Sequence, residues 1–141
     1  MSASAGRIWG VVPAAAQLYL AFDWGQRRVG VATGNTLTRT ATALTTVAAE
    51  GDARWRALLA LIAEWRPQAL VVGVPRHPDG APHEQTRRAE RFARQLHGRT
   101  GLAVVEVDER YTTTEAHAAG ARDADAAAAC LILEQYLRSL P

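Results

Sequence analysis

Leu18-Tyr19-Leu20-Ala21-Phe22-Asp23-Trp24-Gly25-Gln26-Arg27-Arg28-Val29-Gly30-Val31-Ala32 is the stretch that decides the architecture of this chain. The apolar run before Asp23 reads as a strand, and Val29 to Ala32 as its returning partner. The short glycine-containing stretch between them suits a tight hairpin turn. Asp23 then stands at the end of a central strand, where a carboxylate is costly unless something cationic compensates it. Two further acids, Glu109 and Asp125, follow or begin other predicted elements. Three separated carboxylates on one sheet suggest a divalent-metal site.

Working outward, residues 17–23, 28–34 and 40–47 predict three strands in an antiparallel meander. Asp52 is placed to cap a helix over 53–65, in which Trp55, Leu58, Leu59, Ile62 and Trp65 have helical spacing. Ala69-Leu70-Val71-Val72-Gly73-Val74 is apolar without alternation, the pattern of a strand covered on both faces. A loop from Pro75 to Pro82 turns at Asp79-Gly80 and leads into a helix over 83–97, which Gly98 and Gly101 should end. Residues 103–107 predict another strand, and short helices over 112–119 and 124–138 complete the series. The expected fold class is α/β, a mixed five-stranded sheet flanked by helices. Residues 1–16 read as a flexible extension and 17–141 as one domain.

A chain of 141 residues can bury a core without covalent staples. Its one cysteine, Cys130, excludes an internal disulfide and sits among alanines and leucines, as a structural thiol would. No apolar run reaches the ~18 residues of a membrane span. The apolar segment from Ile8 to Leu20 is broken by Pro13 and Gln17, so a cytoplasmic location without membrane attachment is expected. All sixteen basic residues are arginine. Residues 1–99 carry a balance of +6 and residues 100–141 one of −4. Arginine offers planar forks suited to phosphate.

The acids each allow a second use. Asp23 could cap its turn. Asp108 and Glu109 point in different directions if strand geometry persists, so one could bind metal while the other caps the next helix or pairs with Arg110; spacing alone leaves that choice open. Asp125 shares a helix face with Ala129, Ile132 and Tyr136, which turns it inward, whereas Asp123 looks like the N-cap. Arg87, Arg91 and Arg94 lie on one face of the 83–97 helix, away from Phe92, and could meet a phosphate backbone. Alternatively, Glu84–Arg88 and Glu90–Arg94 pairs would make that face a solvated one. Arg27, Arg28 and Arg76 sit in loops near the acids. The histidines form no zinc pattern, although His77 could orient a substrate. Gly25 to Gly30 lacks the Lys-Ser/Thr of a P-loop, and no nucleophile triad stands out.

Four of these segments together resemble the YqgF/RuvX family, described as pre-16S rRNA nucleases or Holliday-junction-resolvase-like proteins with a ribonuclease H-like fold. They are Phe22 to Ala32; Val71-Val72-Gly73-Val74-Pro75 with Asp79-Gly80; Val107-Asp108-Glu109-Arg110-Tyr111-Thr112-Thr113; and Asp125 with Ala128-Ala129 and Leu131-Ile132-Leu133. They occur in family order. The resemblance implies that Asp23, Glu109 and Asp125 form a catalytic site for Mg²⁺ or Mn²⁺, with Arg27, Arg28 and Arg110 nearby. Asn35 stands where the family often has an acid after the second strand; if that position helps bind metal or water, the resemblance implies either weaker activity here or use of Asp108 instead. Arg76-His77-Pro78 replaces the commoner Leu-Asn-Met.

The implied activity is metal-dependent hydrolysis of phosphodiester bonds in structured RNA, during maturation of precursor 16S rRNA within or before a small-subunit particle. Products would carry a 5′-phosphate and a 3′-hydroxyl. Arginines 27, 28, 76, 87, 91, 94 and 110 would neutralise backbone phosphates. Cleavage of branched DNA, as a Holliday junction resolvase, is the first alternative and requires a symmetric dimer; the chain is expected as a monomer or weak dimer. A non-catalytic RNA- or ribosome-binding module is the second.

Overall fold

The computed structural model describes residues 5–109 and 123–141. Six strands form one mixed sheet: β1 (Ala5–Trp9), β2 (Leu18–Trp24), β3 (Val29–Asn35), β4 (Ala41–Val47), β5 (Ala69–Val74) and β6 (Ala103–Asp108), in the order β1-β6-β5-β2-β3-β4. The helices are α1 (Gly51–Trp65), α2 (Glu84–Thr100) and α3 (Ala124–Ser139). β2, β3 and β4 form the expected meander, while β5 and β6 run parallel to β2.

Strand pleat sorts the core into two layers. Leu20, Phe22, Val31, Leu70, Val72 and Val104 face α1 and α2, where they meet Leu58, Ile62, Phe92 and Leu96. Tyr19, Ala21, Val71, Val105 and Val107 face α3 and pack on Ile132, Leu133, Tyr136 and Leu137. β5 is buried at all six positions, as its unbroken apolar run requires.

The sheet has six strands rather than five. The sequence reading sees no strand before residue 17, yet β1 pairs antiparallel with β6, Ile8 opposite Val105 and Trp9 opposite Val104. As an edge strand, β1 is held by backbone pairing and by Trp9, whose Nε1 donates to Glu106 Oε2 at 2.8 Å, so it needs no alternating apolar face and leaves little sequence signal. Two helix boundaries also differ. Glu50, not Asp52, is the N-cap of α1, and its side chain makes no capping bond. Gly98 is helical, and α2 continues to Thr100 before Gly101 (φ 72°) caps it in the left-handed region that glycine tolerates. Asp123 is the N-cap of α3 as expected, accepting from Ala126 N at 3.3 Å. The helix predicted over 112–119 lies outside the described residues.

Candidate active site

The register of β2 carries most of the geometry. Asp23 lies opposite Gly30 on β3 and Gly73 on β5. All three belong to the α3 side of the pleat, together with Ala21 and Val71. A side chain at either glycine would occupy space already taken by another part of the site. A Cβ at Gly73 would stand 2.7 Å from Glu109 Oε1 and 2.4 Å from Ile132 Cδ1. A Cβ at Gly30 would come within 1.8 Å of the Asp125 carbonyl oxygen. The two glycines therefore admit the Glu109 side chain and the first turn of α3 on either side of Asp23.

Asp23 and Glu109 meet directly. Glu109 follows β6 by one residue, so the pleat that sends Val105 and Val107 toward α3 sends Glu109 the same way. Its carboxyl hydrogen-bonds Asp23, and its pKa is pushed up to about 10 by burial first, then by that bond and by the negative charges of Asp23 and Asp108. The raised affinity of the pair for a proton favours one proton held between the two carboxyls at neutral pH. By the same alternation Asp108 belongs to the α2 side, so it is Glu109 rather than Asp108 that meets Asp23.

Asp125 reaches this end of the sheet through the seating of α3 on Gly30, but its carboxylate pairs with Arg28, Oδ2 to Nε 3.1 Å. Among the described residues, no group of three or more Asp, Glu, His or Cys side chains is gathered closely enough to hold an ion. Two of the three expected acids are in contact, and the third is alongside with an arginine as its partner. Asn35 is at the other end of β3, opposite Leu18, where its Oδ1 accepts from Leu37 N and Thr38 N at 3.0 Å. It closes a turn and is remote from Asp23, so it has no bearing on a metal there.

The predicted arginines separate into groups. Arg27 and Arg28 are exposed in the β2–β3 turn. Arg76 pairs with Glu90 at 3.4 Å. Arg87, Arg91 and Arg94 are exposed along α2. Arg110 lies outside the described residues. His77 stacks edge-on against His83, which caps α2 by accepting from Gln85 N.

One residue of this region escaped the sequence reading. Arg54 is buried and donates from Nε to Ala49 O at 2.7 Å and from Nη2 to Gln26 O at 2.8 Å, tying α1 to the turn that carries Arg27 and Arg28. Its signal was available, since 54, 58 and 62 are spaced by four and share the buried face of α1. Arg54→Ala is expected to lower stability by about 1–3 kcal/mol, because two inward carbonyls lose a charged donor. A urea midpoint measured beside the parent chain checks this.

Known proteins resemble this chain over most of its length. A family model described as "RuvX: Holliday junction resolvase" matches residues 17–139. The chain is 68% identical over 125 residues to the "Putative pre-16S rRNA nuclease" of Polaromonas sp. (strain JS666 / ATCC BAA-500), covering 89% of this chain and 91% of that one. It is 64% identical over 129 residues to the protein of the same name from Albidiferax ferrireducens, covering 92% and 83%. Among solved structures, T. thermophilus RuvC in complex with a Holliday junction substrate superposes with a TM-score of 0.55 at 16% identity, over 86% of this chain and 95% of that one. That likeness supports the ribonuclease H-like fold. With a family match across nearly its whole length and relatives this similar, the chain belongs to the RuvX family.

Proposed function

We propose that this chain is a divalent-metal-dependent endonuclease that hydrolyses phosphodiester bonds in structured RNA, precursor 16S ribosomal RNA being its substrate. The observation that carries the reading is the Asp23–Glu109 pair: two carboxyls sharing a proton in a largely buried setting at the end of the central strands. Such a pair is costly for stability alone, and its oxygen donors suit Mg²⁺ or Mn²⁺. Asp23 and Glu109 would hold the ion, and Asp125 would join them once Arg28 releases it. A bound ion would supply an activated water and charge stabilisation at the leaving oxygen. To serve as a ligand, Glu109 would have to release its proton to solvent. Arg28, freed from Asp125, can turn to a substrate phosphate, as can Arg27, Arg76, Arg87, Arg91, Arg94 and Arg110. These contacts position a backbone without reading bases, which leaves selection to RNA shape.

The names of the similar Polaromonas and Albidiferax proteins support RNA as the substrate. The family's description supports a second reading, cleavage of branched DNA. Our reading includes one nuclease domain with β1 in its sheet, acting in the cytoplasm as a monomer or weak dimer, with a small-subunit particle as a further candidate partner. No helix among the described residues is long and apolar enough to cross a membrane.

The test is to incubate the purified chain with precursor 16S rRNA and, separately, a four-way DNA junction, in Mn²⁺, Mg²⁺ or EDTA. Metal-dependent RNA cleavage that disappears in Asp23→Asn is the expected result. Junction cleavage alone would move the assignment to the resolvase. A folded chain that binds RNA and cuts neither substrate would be a binding module.

A further inference from the structure

On the α2 side of the sheet edge, a cleft of about 180 Å³ is lined by Arg7, Trp9, Arg87, Glu90, Arg91 and Arg94. Two of these residues come from β1, which lies outside the stretch matched by the family model. Trp9 is fixed by its bond to Glu106, and the Arg7 guanidinium lies over its ring at 5.1 Å from the centroid, so β1 presents Arg7 toward α2 in a defined place. Glu90 is the carboxylate of the lining, and it is engaged by Arg76 at 3.4 Å rather than by Arg94. Among the described residues, no carboxylate forms an ion pair with Arg7, Arg87, Arg91 or Arg94. Four arginines thus line one cleft against Glu90 and, beside Arg7, Glu106, a net positive charge that favours a polyanion.

The position relative to the acids matters as much as the charge. α2 follows β5 through the 75–83 loop, so its first turn, with Arg87, is at the same end of the sheet as Asp23 and Glu109. Arg94 stands about 10 Å further along the helix. β1 is three strands from β2, about 14 Å away at ordinary strand spacing. A chain of phosphates that leaves the acids on the α3 face and rounds this end of the sheet can then follow Arg87, Arg91 and Arg94 on the α2 face to Arg7.

Resting on the nuclease reading above, we infer that the β1–α2 cleft is a second contact site for the phosphodiester backbone of the RNA, outside the cleavage site, and that β1 completes it by supplying Arg7 held on Trp9. Binding of a fluorescein-labelled RNA hairpin with single-stranded flanks, followed by anisotropy in EDTA between about 50 and 200 mM salt, tests this. Arg7→Ala and Arg91→Ala should each weaken binding several-fold and reduce the slope of log Kd against log salt by about 0.7–0.9, the signature of one lost phosphate contact. Arg7→Lys should keep the slope, and Arg56→Ala, on exposed α1, should leave it unchanged. Matching circular dichroism spectra and melting temperatures ensure that all variants are folded. If the parent chain binds and the Arg7 and Arg91 variants keep its slope, this inference is overturned while the nuclease reading stands. If the parent chain does not bind RNA even at the lowest salt, both are overturned.

Discussion

Glu109→Gln should make the metal-free chain more stable while removing metal-dependent cleavage. In the folded chain the Glu109 pKa is about 10, against an ordinary value of 4.5, because burial and Asp23 oppose its charge. The unfolded chain releases this proton above pH 4.5 and the folded one keeps it to about 10. The folded state therefore binds the extra proton throughout that window, and stability due to this group, complete below the lower value, declines as pH rises toward the upper one. Glutamine keeps a donor toward Asp23 and has no proton to lose. At pH 8 the variant is expected to gain on the order of 1–3 kcal/mol and to melt several degrees higher, with a flatter dependence on pH between 5 and 9. Cleavage should fall at least ~10²-fold, since a neutral amide is a poor ligand for a hard cation. Melting curves across pH with EDTA, beside a cleavage assay in Mn²⁺, read both effects. A variant less stable than the parent at pH 8 would mean that Glu109 is ionised and compensated in the fold.

Gly30→Ala should be among the most damaging single-methyl additions in the chain. The added Cβ would overlap the backbone of Asp125 and Ala126, at 1.8 Å from the Asp125 oxygen and 2.7 Å from the Ala126 nitrogen. Backbone cannot rotate away as a side-chain tip can, so α3 must lift from β3. Overpacking of this kind costs about 1–3 kcal/mol and often more where the obstacle is main chain. Lifting the first turn of α3 would also carry Asp125 from Arg28 and disturb Asp123, which caps the helix and accepts a hydrogen bond from Thr46. A denaturant midpoint well below the parent's, together with lost cleavage in the fraction that remains folded, is expected. A variant with parental stability and activity would show that α3 does not need this close approach.

Local pattern was enough wherever an element is specified by its own residues. The unbroken apolar run of β5, the helical spacing of Leu58 and Ile62, and the turn residues after Asp23 each state a conformation within a few positions. The same local logic placed Asp23 at a strand end, Asp123 at a cap and Asp125 in the first turn of an inward-facing helix.

What the sequence could not determine depends on partners distant along the chain. β1 is a strand because β6 offers it an open edge, and nothing in Ala5–Trp9 announces that edge. Glu109 rather than Asp108 meets Asp23 because the phase of β6 is set by which residues α2 and α3 bury. Glu90 turns to Arg76 in a loop rather than to Arg94 on its own helix, which leaves the α2 arginines charged and open. Asn35, adjacent to the site by motif, is at the opposite end of the sheet by register. Residue type and spacing named the chemistry this chain could carry; strand pairing and helix seating decided which carboxyls meet and which arginines remain available, because contact between them exists only once the sheet has closed.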